Sequence, residues 1–193
     1  QRGGVLPNRQ CRAQRYQHDD LNRLKEAIYG RNMYNTHNYN ESLWYDKNGN
    51  IQSLKRNGDL DSSDFAIEID DLEYTYHDDR KNELVKVLDR SNHPQGFKDD
   101  SNGITDDEED YTYDANGNLT SDQNKGITKI KYNHLNLPTE IIFENGSVIS
   151  YLYNATGQKI QKNVVDPSTT PVVTDYMNGG FQYTNNVLSF FPH

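Results

Sequence analysis

The sequence predicts an all-β protein built from consecutive antiparallel β-hairpins. Three observations carry that expectation. Tyr45-Asp46-Lys47-Asn48-Gly49-Asn50-Ile51 returns as Tyr113-Asp114-Ala115-Asn116-Gly117-Asn118-Leu119, with softer copies elsewhere. The 23 Asn residues cluster with Gly and Asp, which tolerate positive φ and bond their own backbone in tight turns. Between these turns run short β-branched and aromatic segments, and no long amphipathic helix pattern interrupts them.

The first 15 residues, with Arg2, Arg9, Arg12 and Arg15, are basic and patternless and read as an irregular segment 1–15. The repeat frame begins at His18-Asp19-Asp20-Leu21-Asn22-Arg23-Leu24, where a histidine stands in the tyrosine position. Leu21, Leu24 and Ile28 also fall at helical spacing behind Asp19, an N-cap candidate, so residues 20–28 alone read equally as a short helix. The next copy starts at Tyr45. A degenerate copy starts at Tyr76-His77-Asp78-Asp79 and carries two extra residues before Leu84. Leu84, Val85 and Leu88 give residues 82–89 the same helix-or-strand ambiguity. A polar acidic insert near 92–110 precedes the copy at Tyr113, and Tyr132-Asn133-His134-Leu135-Asn136-Leu137 comes next. Residues 139–153 alternate on either side of Asn145-Gly146, a hairpin signal. Tyr153-Asn154-Ala155-Thr156-Gly157-Gln158-Lys159-Ile160 closes a repeat array over 16–163. Residues 164–193 read as a linker and final hairpin leading to a missing C-terminal region. Copies near 18, 45, 76, 113, 132 and 153 make a repeat architecture, which outranks local helix signals and turns both ambiguous segments into strands.

Each motif position has a physical task. Tyr74, Tyr111 and Tyr151 precede Tyr76, Tyr113 and Tyr153 by two residues, so their rings share one strand face. The Asp or Asn after the tyrosine can cap the turn through backbone N–H groups. Gly supplies the positive-φ position. The closing Leu or Ile starts the return strand and packs inward. One such unit cannot bury its own face, so stacked neighbours must make the core.

Composition narrows the function. The chain has 193 residues, 20 Lys plus Arg, 29 Asp plus Glu and a formal net charge of -9. That size suits one domain or a run of small repeats. An acidic chain gains nothing from counterion release, so nucleic acid is not an expected partner. No stretch approaches the roughly 20 apolar residues of a membrane helix, so no membrane insertion is expected. Leu, Ile, Val and Phe total 40 residues, close to the level of disordered chains, but 14 Tyr rings supply the missing apolar area. The single cysteine, Cys11, excludes an internal disulfide framework and a multi-cysteine metal site.

These residues resemble the YD repeat, the tyrosine–aspartate repeat of bacterial Rhs proteins and, more remotely, of teneurins. The Tyr-Asp-x-x-Gly-Asn-Leu form is matched at Tyr45 to Ile51 and Tyr113 to Leu119, and the Leu-Asn-Arg-Leu form at Leu21 to Leu24. The run from Tyr132 to Ile141 is similar to versions in Bacteroidota. The segment with Gly179-Gly180-Phe181-Gln182-Tyr183 resembles the stretch just beyond the repeats in that group. The resemblance implies a curved or coiled sheet forming part of a β-cocoon shell, which in Rhs proteins encloses a C-terminal toxin. It implies a secreted or cell-surface location. Its implied partners are the remaining YD repeats and C-terminal domain of a longer parent chain, and type 9 secretion machinery if the origin is Bacteroidota. The family's aspartyl-protease-like motif is absent; Asp166-Pro167 is too isolated to count.

No catalytic, cofactor-binding or metal site is assigned. The oxygen-rich run from Asp99 to Asp110 around Gly103 suits a hard cation. Its glycine misses the EF-hand spacing, and a solvated acidic insert is the favoured reading. The turns at Asp46 and Asp114 also look calcium-like, but Asx turn chemistry explains them. His18, His37, His77, His93, His134 and His193 are scattered, and Cys11 forms no dyad on sequence evidence. Asn40, Asn118, Asn145 and Asn154 head chance glycosylation sequons. Trp44 and the tyrosines are expected to fill the core, a carbohydrate groove being the alternative.

The expected function is structural and not enzymatic: a shell segment that encapsulates or carries a C-terminal effector. The alternative is a cell-surface adhesin, a carbohydrate- or protein-binding module of the same repeats.

Overall fold

A computed structural model describes residues 12–31, 34–35, 37–58, 66–99 and 109–191. It is all-β. The described residues carry sixteen strands, one 3-10 turn at Gln123–Lys125 and no α-helix. Cys11, His193 and the centre of the acidic insert, with Gly103, lie outside the described residues.

The strands fall into two antiparallel sheets, and the chain divides into units 1–99 and 100–193. The sequence suggested an array over 16–163 with a polar acidic insert near 92–110. The division falls in the 92–110 insert, where Ser91-Asn92-His93-Pro94-Gln95-Gly96 offers turn residues but no alternating apolar run.

In the first unit, β1 (Arg12–His18), β2 (Leu24–Arg31), β4 (Glu41–Tyr45), β5 (Ile51–Gly58), β6 (Ile67–Tyr76) and β7 (Leu84–Asp89) lie side by side in chain order, and the short β3 (Tyr34–Asn35) also pairs with β2. Residues 12–15 are therefore strand, not part of an irregular segment. Ala13, Gln14 and Arg15 pair with Gly30, Tyr29 and Ile28, so their conformation comes from a partner strand. Residues 24–28 and 84–89 are strands, as the repeat frame required and the helical spacing did not.

The second sheet runs in chain order from β8 (Tyr111–Tyr113) and β9 (Leu119–Asp122) through β10 (Ile127–Tyr132), β11 (Pro138–Phe143), β12 (Val148–Tyr153) and β13 (Lys159–Val165) to β14 (Val172–Tyr176), β15 (Gln182–Thr184) and β16 (Val187–Phe190). Residues 164–193, expected to hold a linker and a final hairpin, thus supply three strands to the same sheet.

One turn geometry builds most of the hairpins. The Asp46 N–H donates to the Asn50 carbonyl at 2.9 Å, and the Gly49 N–H donates to the Asp46 carbonyl at 3.2 Å. The same pair of bonds recurs from Asp19, Asp114, Asn133, Phe143, Asn154 and Met177. This is a three-residue loop whose last residue must be left-handed. Gly49, Gly117, Gly146, Gly157 and Gly180 take that position with φ between 80° and 95°, and Asn22 and Asn136 take it at 61° and 56°. At 145–146 the Asn-Gly pair therefore sits in a three-residue loop with only Gly146 left-handed. The Met177 turn repeats the two bonds beyond the copies expected from the repeat frame, but with Gly179 as well as Gly180 at positive φ. Thr184 and Val187 instead flank a two-residue turn, with both Asn185 and Asn186 at positive φ.

Each hairpin of the repeat motif then places an extra residue after the turn, seven positions after its Tyr or His, whereas the hairpins at Phe143 and Met177 pair without one. Tyr45 pairs with Ile51 and Trp44 with Ser53, leaving Gln52 as a bulge. Lys25, Thr120, Thr139 and Ile160 are the equivalent residues, and the longer Tyr76 loop makes it Val85. That loop is longer because the His77 N–H donates to the Glu83 carbonyl across two extra residues.

The core is thin. Ala27, Tyr29, Leu72, Val87 and Ile130 are the buried hydrophobics among the described residues. The motif tyrosines, Tyr45, Tyr76, Tyr113, Tyr132 and Tyr153, are half-buried, while the residue before each is exposed. The motif therefore shows one aromatic face and one wet face.

Candidate functional site

The motif aspartates are spent on their own turns, while the Asn50 and Asn118 amides also donate to the next turn, to the Lys81 carbonyl at 2.9 Å and to Asn136 Oδ1 at 3.0 Å. Asp46 Oδ1 accepts the Asn50 N–H at 2.8 Å, and Oδ2 accepts the Asn50 amide at 2.9 Å. Asp114 repeats this with Asn118, both bonds at 2.9 Å, and also accepts the Asn116 N–H at 2.8 Å. The Asn118 side chain and backbone hold the Asp114 carboxyl below the usual carboxylate range. For Asp46, partial burial opposes ionisation, but the bonds from Asn50 outweigh it and the pKa falls. Both carboxylate oxygens of Asp46 and of Asp114 thus accept N–H groups of their own turn, which is Asx-turn chemistry. Asp19 serves its turn in the same way, accepting from Leu21 and Arg23, so it caps a hairpin and not a helix.

The tyrosine hydroxyls connect neighbouring hairpins. Tyr45 donates to the Leu24 carbonyl at 2.8 Å, Tyr76 to Ile51 at 2.9 Å, Tyr132 to Leu119 at 2.7 Å and Tyr153 to Pro138 at 2.9 Å. Each acceptor is the residue that closes the preceding turn.

Two clefts occupy the same place in the repeat frame, one in each unit. The first is about 180 Å³ and is lined by Asp19, Arg23, Lys25, Leu43, Trp44 and Tyr45. The second, about 360 Å³, places Asn133, Thr139, Tyr151, Leu152 and Tyr153 at the corresponding positions. Each lies between one turn and the strand of the next hairpin. In the first, the Arg23 guanidinium pairs with Asp19 at 2.7 Å, donates to the Asp46 carbonyl at 3.0 Å and stacks 4.7 Å from the Tyr45 ring centroid. Trp44 is 65% exposed, so it does not fill the core. It stands at the motif position before the tyrosine, and strand alternation turns it to the opposite face. That alternation was present in the sequence and contradicts the expectation for Trp44.

Polar knots close the sheets elsewhere. Asp70 is fully buried; its Oδ2 meets Arg56 Nε at 2.5 Å, and its Oδ1 accepts the Phe97 N–H at 2.5 Å. Asp89 Oδ1 accepts the N–H groups of Asp71 and Ser91, while Asp99 Oδ2 accepts the Asp89 N–H at 2.9 Å. Asp99, placed by sequence in the acidic run, therefore anchors a loop. In the second unit, the Asn124 amide donates to Asp110 at 3.0 Å and to the Tyr111 hydroxyl at 3.2 Å. Burial pushes the Tyr111 phenol up to about 12. The sequence marked none of these knots, because a buried aspartate is indistinguishable by type from a solvated one.

His77 and His93 each serve their own turn. His77 Nδ1 accepts the Asp79 and Arg80 N–H groups, and His93 Nδ1 accepts the Gln95 N–H. Among the described residues, no three His, Cys, Asp or Glu side chains converge as metal ligands would. Of the sequon residues, Asn40 accepts the Tyr29 N–H, and Asn118, Asn145 and Asn154 all cap or brace turns.

No protein-family model matches this sequence, and no curated protein matches it significantly.

Proposed function

We propose that this chain is a wall segment of a secreted or cell-surface YD-repeat protein of the Rhs type, whose shell encapsulates or carries a C-terminal effector. The observation that supports this is the recurring tyrosine link, in which each hydroxyl reaches the carbonyl closing the hairpin before it. A bond of that kind joins only nearest neighbours and has the same form wherever the motif stands. Hairpins can then be added without redesign, which is what an extended wall requires. The mechanism is steric exclusion: a sheet sealed by its backbone ladder separates a cargo segment from the outside. The turns, capped by their own Asp and Asn side chains, need no ligand to hold their shape.

The test is the intact mass and peptide sequence of the native polypeptide, followed by protease treatment. Further repeats and an unrelated downstream domain that resists protease until the repeats are unfolded are the expected result. A native chain of only these residues would exclude encapsulation, because so few hairpins cannot close a container.

A further inference from the structure

We infer that Asn178 is a self-modifying site: the Gly179 backbone nitrogen attacks the Asn178 side-chain amide and converts the residue, through a cyclic imide, to aspartate and isoaspartate. The inference concerns one hairpin of the second unit and does not depend on the shell reading.

The reaction is favoured where glycine follows asparagine, because the attacking main-chain nitrogen must approach Cγ and a glycine puts no Cβ in the way. Six Asn-Gly pairs meet that requirement. One of them, Asn102-Gly103, lies outside the described residues. The fold treats the other five differently. Asn48-Gly49, Asn116-Gly117 and Asn145-Gly146 fill the second and third places of the three-residue loop. There the glycine N–H donates to the carbonyl that opens the turn: Asp46 at 3.2 Å, Asp114 at 3.0 Å and Phe143 at 3.0 Å. The nitrogen that would attack is engaged and must first leave its turn. Asn57 lies in β5, where its N–H donates to the Asn40 carbonyl and its side-chain amide to the His37 carbonyl. Gly58 beside it is buried.

At Asn178 the pair is shifted by one place. Asn178 and Gly179 are the first and second loop residues, and the Gly180 N–H closes the turn on the Met177 carbonyl at 3.3 Å. In the motif turns the cap holds the second loop residue: the Leu21, Asn116, Leu135 and Thr156 N–H groups donate to Oδ1 of Asp19, Asp114, Asn133 and Asn154. Met177 stands at the cap position and has no side-chain oxygen to offer. The φ of 83° at Gly179 also marks Met177 to Gly180 as a type II turn, whose central peptide is turned over relative to type I. Among the described residues nothing accepts the Gly179 N–H. Asn178 and Gly179 are both exposed, so water reaches the pair.

The step balances with water alone. The deprotonated Gly179 nitrogen bonds to Asn178 Cγ, and the Cγ–Nδ2 bond breaks with loss of ammonia. Water then opens the imide at Cγ to give aspartate, or at the main-chain carbonyl to give isoaspartate, whose main chain runs on through Cγ. Either product replaces a neutral amide by a carboxylate, and isoaspartate lengthens the main chain by one methylene. The change falls in the loop joining β14 to β15, and β16 reaches the sheet only through β15.

The 193-residue chain is incubated at mildly alkaline pH, folded and in urea. Peptide mapping then reads the mass gain at each asparagine, and methylation by an isoaspartate-specific methyltransferase reads the rearranged product. In the folded chain Asn178 should convert at least about fivefold faster than Asn48, Asn116 and Asn145, the factor that one hydrogen bond on the nitrogen is worth. Isoaspartate should be among its products, and the rate should rise with pH. In urea the four rates should converge. Met177→Asp restores a cap for the Gly179 N–H and should slow Asn178 several-fold with the Asn-Gly pair untouched. The inference is overturned if Asn178 converts no faster than the other three in the folded chain, or if it yields no isoaspartate. It is equally overturned if its lead persists in urea, or if Met177→Asp leaves its rate unchanged.

Discussion

The Tyr45 hydroxyl donates to the Leu24 carbonyl at 2.8 Å, tying the second hairpin of the first unit to the residue that closes the first. The ring is half-buried against Arg23, whose guanidinium lies 4.7 Å from its centroid. Ring and hydroxyl therefore do separable work. Tyr45→Phe keeps the ring and removes one neutral hydrogen bond, and should cost about 1 kcal/mol in urea denaturation. Tyr132→Phe should cost a similar amount in the second unit. Tyr16→Phe is the control, because the Tyr16 hydroxyl reaches only the exposed Gln14 side chain; its effect should stay within about 0.5 kcal/mol. If all three variants unfold alike, the tyrosine link holds nothing together.

The turn caps carry a pH signature. Asp114 is held ionised below its ordinary value of 3.8, first by the Asn118 side chain and then by the Asn118 N–H. A lowered folded-state pKa means that the carboxylate's contribution is present above 3.8 and is lost as pH falls through the lower folded value. Asp114→Ala should lower the urea midpoint at neutral pH and flatten its dependence on acid. Asp114→Asn should keep most of the neutral-pH midpoint, because Asn133 and Asn154 cap the equivalent turns with an amide oxygen. It should also lose the acid dependence. A cap that acted through charge alone would make Asn as harmful as Ala.

Tyr111 gives the opposite edge of the pH range. Burial raises its phenol to about 12 from an ordinary value of 10.0, with the Asn124 amide bond partly opposing the rise. Folding favours the neutral phenol, so the contribution is complete below 10.0 and disappears between there and about 12. A tyrosinate absorbance titration of the folded chain should show a late component that Tyr111→Phe removes. Alkaline unfolding of that variant should depend less steeply on pH. A phenol titrating with the exposed tyrosines would mean that Tyr111 is open to water.

The hairpins were legible because their requirements are local. A left-handed third loop residue demands Gly or Asn, and an acceptor two and four residues before the N–H groups demands Asp or Asn. Where those demands weaken, legibility fails with them. At Met177 the capping side chain is gone, and Gly179 and Gly180, both at positive φ, are what mark that copy of the turn. Residues 12–15 are strand because β2 pairs with them, and a partner leaves no mark on their own sequence. The tyrosine link ends on backbone carbonyls, which every residue has. Trp44 departs from expectation for a different reason: its hydrophobicity argues for the core, but its place one residue before the motif tyrosine turns it to the wet face.

Asp70 and Arg56 make the sharpest test of the first unit's packing. The carboxylate is fully buried, with Arg56 Nε at 2.5 Å on one oxygen and the Phe97 N–H at 2.5 Å on the other. Arg56→Met leaves that carboxylate with the loop N–H but without its cation. Removing one partner of a buried pair costs about 3–5 kcal/mol, and the 43% exposure of Arg56 lets water reach the site, so the lower end is expected. Asp70→Asn in the same chain removes the unpaired charge, keeps an acceptor for Phe97 and should recover part of the loss. Gly96→Ala attacks the same knot from the loop: an added Cβ would lie 1.8 Å from the Ile69 carbonyl oxygen, so the loop must lift and withdraw the Phe97 N–H. Arg56→Met and Gly96→Ala act on two bonds to one carboxylate, so their costs should not add. A double-mutant cycle should show a coupling of at least about 0.5 kcal/mol. Strict additivity would mean that cation and loop hold Asp70 independently, and that the buried carboxylate is not the centre that joins β5, β6 and the loop after β7.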